Sequence, residues 1–297
     1  MKRIYLILIC LSLLSNADTT KFELNKIVTN LFEEESQKSN IISMAAHNKM
    51  LSQKIAKDIV MIVNGIDVEN YRKDLIRSTQ IFNDFLLAMY IGNETRFIPK
   101  NTDIEVLQDL EELQEEWKVF CKHILKFYKR EEKIETESYK YIIQNNEKLL
   151  RLSHKLTQTL KSKNRLNINQ NKVMEHTLKI ADRQKMLTQK MFKESFLIYS
   201  KEDVKRNSIR LRGSIILFEH GLNGLLNGDK KRGLIAVSTP KIKEKLQKIL
   251  TLYQEVKGIY IQGTISKEEM QKLAIIEQKL LKYSTTVVNM IENTLEY

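Results

Sequence analysis

The sequence predicts an all-α protein made of two tandem four-helix bundles, and three observations carry that prediction. Gly and Pro, the strongest local breakers of regular structure, number only nine and two in 297 residues, and neither occurs between Lys100 and Arg212. Apolar residues recur at steps of three and four, as in Leu107, Leu110, Leu113, Trp117 and Phe120. That is the period of a helix and not the alternation of a strand. The chain also repeats itself: residues 45–57 read AAHNKMLSQKIAK and residues 181–193 read ADRQKMLTQKMFK, with seven of thirteen positions identical.

The repeat fixes the domain organisation. Gln53 corresponds to Gln189, an offset of 136 that also relates Phe82 to Phe218, Leu86 to Leu222, Gly92 to Gly228 and Trp117 to Tyr253. Leu149-Leu150 then matches Leu280-Leu281 at an offset of 131, so the second copy is shorter by five residues between its last two helices. A repeat of this length is one supersecondary unit duplicated. The copies span residues 24–162 and 163–297. Helices are expected near 24–64, 68–91, 102–130 and 137–162, then near 165–200, 202–227, 240–258 and 266–295.

Punctuation supports these bounds. Gly92 and Gly228 follow the second helices, where a left-handed C-cap favours glycine. Ser266 precedes Glu269 by three residues, a capping-box pattern at the start of the last helix. Between the copies no breaker intervenes, so the two bundles are expected to be joined end to end by a long shared helix. About 60 residues would span roughly 90 Å at 1.5 Å per residue. The asparagines at 164, 167, 169 and 171 are the signal for the alternative, a loop.

The N-terminus has the order of a secretory signal. Lys2 and Arg3 precede an apolar run from Ile4 to Leu14, and Ser15-Asn16-Ala17 supplies small residues for a peptidase. The run is shorter than the roughly 20 residues of a membrane-spanning helix. Cleavage after Ala17 is therefore expected, with a retained N-terminal anchor as the alternative. Cys10 leaves with the signal and Cys121 stays alone, so the fold must rest on its apolar core and not on a disulfide. The formal charge of +12 becomes +10 without Lys2 and Arg3. Basic and acidic residues are mixed, and nucleic acid is not expected outside the cytoplasm, so charge alone selects no partner.

The repeated segment carries the chemistry. Its helical seam holds Ala45, Asn48, Ser52, Ile55, Ile59 and Ile62, with polar layers at Asn48 and Ser52 that return as Gln184 and Thr188. Buried polar groups cost free energy unless paired. The recurrence points either to register-fixing layers, as in coiled coils, or to a niche for a small ligand beside Lys49 or Lys185. Met50 and Met186 point away from the seam, toward a second packing surface for which a homodimer partner is the simplest occupant. His47, alone on its helix, reads as a surface or packing residue.

These segments resemble the motif of the PilJ-type domain, roughly AGRQRMLSQRMAK, from the N-terminal sensory region of type IV pilus chemotaxis transducers. That domain is similar to the sensor region of the NarX/NarQ nitrate-sensing kinases. The resemblance implies a periplasmic four-helix sensor that binds a small anion between first helices, with the basic residue before the motif methionine touching the anion. Those positions are Lys49 and Lys185 here, where the family has arginine. Arginine is a planar fork suited to planar oxyanions, and lysine is a hydrated point charge. Arg183 keeps a second basic position of the motif, where the first copy has His47.

The expected function is thus a periplasmic sensory or ligand-binding protein that recognises a nitrate- or nitrite-like anion. It would report to a membrane-bound sensor or chemotaxis transducer, since no signalling region follows in this sequence. The expected ligand-binding residues are Lys185, Arg183, Gln184, Thr188 and Gln189, with Lys49, Asn48, Ser52 and Gln53 as counterparts. No catalytic motif, metal-ligand spacing or cofactor signature is present: Glu175-His176 and Glu219-His220 are adjacent pairs that diverge by about 100° on a helix. An enzyme is not expected. The alternative is a non-catalytic helical scaffold or interaction protein that has lost ligand binding.

Overall fold

The computed structural model describes residues 41–96, 98–128, 136–163, 172–262 and 264–295. The expected signal segment, the first part of the first helix and the join at 164–171 lie outside the described residues. Eight long helices account for the rest: α1 (residues 41–63), α2 (Val68–Ile91), α3 (Ile104–Ile124), α4 (Thr136–Lys163), α5 (Lys172–Tyr199), α6 (Val204–Asn227), α7 (Pro240–Ile261) and α8 (Lys267–Leu295). Among the described residues the only extended pairings are two isolated bridges, Asn93 with Ile98 and Asp229 with Leu234. No described helix is long and apolar enough to cross a membrane.

Each copy folds as an up-down-up-down bundle whose ends are set by local chemistry. Asp103 caps α3 by accepting from the Glu105 and Val106 amides. Ser266 and Glu269 close the expected capping box reciprocally, amide to carboxylate and amide to hydroxyl. Gly92 and Gly228 do terminate α2 and α6, but not as left-handed caps. Their φ/ψ values of 83/166° and 80/162° lie in an extended positive-φ region open essentially to glycine alone. That geometry launches the bridged turns, and a Cβ there would meet backbone atoms at 3.1 Å in one copy and 3.2 Å in the other.

Aromatic pairs fill equivalent places in both cores. Phe82 stacks on Trp117 at 4.0 Å, and Phe218 lies 5.0 Å from Tyr253. In the second copy α5 packs on α6 and α8, and α7 packs on α8. In the first, α3 and α4 form the matching hairpin.

The copies do not stack end to end. The Lys190 ammonium lies 2.6 Å from the Glu147 carboxylate, whereas 43 residues of continuous helix would separate them by roughly 64 Å. α4 and α5 therefore lie side by side and antiparallel. Lys193 donates to Gln53 Oε1 at 2.8 Å, and Ser200 donates to Asn64 Oδ1 at 3.1 Å. Asn64 and Ser200 are repeat equivalents, so α1 and α5 run parallel about a pseudo-twofold axis, with α4 and α8 against them. The expectation of a long shared helix rested on a missing breaker, and side-by-side packing wins because it covers both first helices. From Met50 to Ile62 every residue but Lys54 is buried, and from Leu187 to Ile198 every residue but its equivalent Lys190. A helix buried on all faces belongs at the centre of an assembly. Met50, expected to face a second packing surface, is itself 3% exposed within the single chain.

Candidate functional site

Helical geometry sorts the expected site residues into two faces. Asn48 and Ser52 turn into their own bundle. The Asn48 amide donates to the Phe82 carbonyl on α2, and Ser52 and Thr188 donate to the carbonyls of Lys49 and Lys185 on their own helices. Gln184 lies over Gly221 of α6, where a Cβ would meet its Nε2 at 1.9 Å. Both polar atoms of the Gln184 amide are buried without a hydrogen-bond partner among the described residues. The second face, at four-residue steps, is Lys49, Gln53 and Lys57, with Lys185, Gln189 and Lys193 opposite; it forms the seam between the copies.

Two polar layers lie along that seam. The layer nearer the start of both helices is basic. Lys185 is 4% exposed and its ammonium lies 3.4 Å from the Asp182 carboxylate. Lys49 is half-buried beside it. Burial pushes the Lys49 pKa down to about 8; Asp182 opposes this, and the charges of Lys161, Arg183 and Lys185 reinforce it. His47 is driven down to about 4 by burial and then by Lys185, again against Asp182. His47 is thus neutral near pH 7 and borders the seam, rather than being a plain surface residue. Lys49, Arg183 and Lys185 thus lie close together here, with Asp182 beside them.

The deeper layer is closed by protein groups. Lys57 lies 3.2 Å from Glu277 of α8 and 3.4 Å from Asp58, and all three side chains are no more than 2% exposed. Glu277 also accepts from the Gln189 amide. On the other side, Lys193 donates to Gln53, to the Asn146 carbonyl oxygen of its side chain and, at 3.2 Å, to Glu147 of α4. The Gln53 amide donates to the Asn146 backbone carbonyl at 3.4 Å. Burial pushes the Asp58 and Glu194 carboxyls up, against the pull of the neighbouring lysines. Gln53 and Gln189 are therefore engaged in this layer and not in the basic one.

The residues missed from sequence are Lys57, Lys193, Asp58, Glu194 and their partners on α4 and α8. Their signal was present, since Lys57 and Lys193 are identical across the repeat and continue the four-residue step from Lys49 and Lys185.

A search among curated proteins gave no match. The family model described as "Type IV pili methyl-accepting chemotaxis transducer N-term" matches twice, over residues 31–142 and 166–271. The two matches correspond to the two copies and together cover most of the chain. The seam that pairs two equivalent first helices is thus built within one polypeptide, and this chain belongs to the PilJ family of chemotaxis-transducer sensory N-terminal regions, in two tandem copies.

Proposed function

We propose that the protein is a non-catalytic periplasmic sensor that binds a small nitrate- or nitrite-like anion in the basic layer between α1 and α5 and reports to a membrane-bound transducer. The observation that carries this reading is the placement of Lys49, Arg183 and Lys185 about the Asp182 carboxylate in a largely buried seam. Charges taken from water without partners are costly. A small anion between Lys49 and Lys185 would neutralise the excess, and the two copies would supply what two subunits supply in a homodimer. Export rests on the order of residues 1–17. The ligand would act by favouring one packing of α1 against α5, which requires different affinities for two packings. The scaffold reading is favoured by one feature: the Ser52 and Thr188 hydroxyls are already satisfied by their own helices.

Calorimetric titration with nitrate and nitrite tests the proposal, alongside Lys49→Ala and Lys185→Ala. The expected result is saturable binding lost in the lysine variants. It should weaken as pH rises through about 8, because an anion prefers the ammonium form of Lys49. Absence of heat with every small anion, from folded protein, would favour the scaffold.

A further inference from the structure

A cavity lies away from the basic layer, between α1 and α2 of the first copy and α8 of the second. It is an open cleft of about 820 Å³, far larger than nitrate needs and within the roughly 300–1,000 Å³ range of small-molecule sites. Its floor is the buried Lys57–Glu277 pair beneath the Tyr71 ring, with the Lys57 ammonium 5.3 Å from the ring centre. Tyr71 is 3% exposed, and its hydroxyl faces Gln278 of α8 without closing a hydrogen bond of normal geometry.

The charges around this cleft are unevenly spent. Its three acids are engaged: Glu277 by Lys57, Asp74 by Lys54 at 2.7 Å, and Asp67 by the Asn70 amide. Lys73 and Arg77, one turn apart on α2, form no ion pair among the described residues, and neither does Lys282 on the facing wall. Thr285 and Thr286 line the wall beside Lys282, with their hydroxyl protons given to the Leu281 and Lys282 carbonyls. The equivalent groove of the other copy lacks this arrangement, because Ile209 and Gly213 replace Lys73 and Arg77 and Asn207 replaces Tyr71.

We propose that this cleft is a separate binding site for a small organic anion with two carboxylates. One carboxylate sits on the Arg77 and Lys73 wall and the other on Lys282, with a ligand oxygen accepting a hydrogen bond from the Tyr71 hydroxyl. The guanidinium offers a carboxylate two parallel donors. Because the walls belong to different copies, a two-ended ligand ties α2 to α8 and stiffens the same interface that holds the basic layer.

The test is calorimetry on the full chain with succinate and L-malate, with acetate and sulfate as comparison probes. Saturable binding of a di-acid is expected, with affinity about tenfold or more weaker in Arg77→Gln and in Lys282→Gln, the scale of one lost charge-assisted contact. Tyr71→Phe should weaken L-malate binding. Arg77 and Lys282 are surface residues, so both variants should keep the wild-type circular dichroism spectrum. No saturable heat from either di-acid overturns the proposal. So does binding that is equal for sulfate or acetate, or indifferent to both the Arg77 and Lys282 substitutions.

Discussion

Lys57 and Lys193 occupy the same position of the repeat, on the same face of equivalent helices, and both are buried almost completely. Their partners differ. Lys57 meets the carboxylate of Glu277, and the residue at the matching place on α4 is the amide Asn146, with Glu147 one residue further along. Burial pulls both ammonium groups toward neutrality. At Lys57 the Glu277 and Asp58 carboxylates outweigh burial and hold the pKa above its ordinary value. At Lys193 burial wins over Glu147, and the pKa is lowered. One difference of partner, amide for carboxylate, decides whether a lysine at the centre of the molecule is held firmly charged. A duplicated fold can keep its geometry while the electrostatics of its halves diverge.

The strongest way to break this comparison is to make the two sides alike. Among the described residues, Glu277→Gln leaves Lys57 with Asp58 as its only close carboxylate, and breaking a buried ion pair costs about 3–5 kcal/mol. Urea unfolding should show a loss on that scale, with an unchanged denaturant slope. A loss under about 1 kcal/mol, at the level of a surface pair, would mean that the Lys57–Glu277 contact does not hold the copies together.

Acid titration sharpens the other side. Glu147 is partly buried, which raises its pKa, but Lys193 and Lys190 dominate and hold it down to about 2. Its folded pKa lies below the unfolded value of about 4.5, so its contribution is fully present above that pH and is lost as pH falls toward 2. The stabilisation is on the order of 3 kcal/mol. Stability measured from pH 5 to pH 2 should fall more steeply in the wild type than in Glu147→Gln. Parallel profiles would show that Lys190 and Lys193 are not held by this carboxylate.

The helices were legible in the sequence because their signals are local. Glycines, caps and apolar spacing place α2 at Val68–Ile91 and α6 at Val204–Asn227 within two residues of expectation. The arrangement of the copies was not legible in the same way. A charged residue on a helix reads as a solvent face, and Lys57, Asp58, Lys193 and Glu194 are charged. Their partners on α4 and α8 are remote in sequence, Glu277 by 220 residues from Lys57, and no local pattern announces such a pairing. The candidate site was half legible: the motif located the basic positions Lys49, Arg183 and Lys185. It could not tell that Asn48, Ser52, Gln184 and Thr188, interleaved with them, turn toward a different neighbour.

The smallest expected effect concerns the turn that ends the first helix of each copy. In the first copy the Gly65 amide bonds to the Ile62 carbonyl and the Ile66 amide to the Met61 carbonyl, and Gly65 takes φ = 71°. The second copy repeats both bonds, from Lys201 to Ile198 and from Glu202 to Leu197, with Lys201 at φ = 60°. This is the paired-bond C-terminal motif whose left-handed residue is usually glycine, and a residue with a Cβ is disfavoured there by roughly 1 kcal/mol. No atom lies within 4 Å of a Cβ built on Gly65, so the difference between the copies is backbone strain and not crowding. Lys201→Gly should therefore stabilise the protein by about 1 kcal/mol, raising the melting temperature by about 2 °C for a chain of this size. Gly65→Lys should lower it by a similar amount. A Lys201→Gly variant that melts below the wild type would show that the lysine side chain contributes more to this turn than its backbone strain removes.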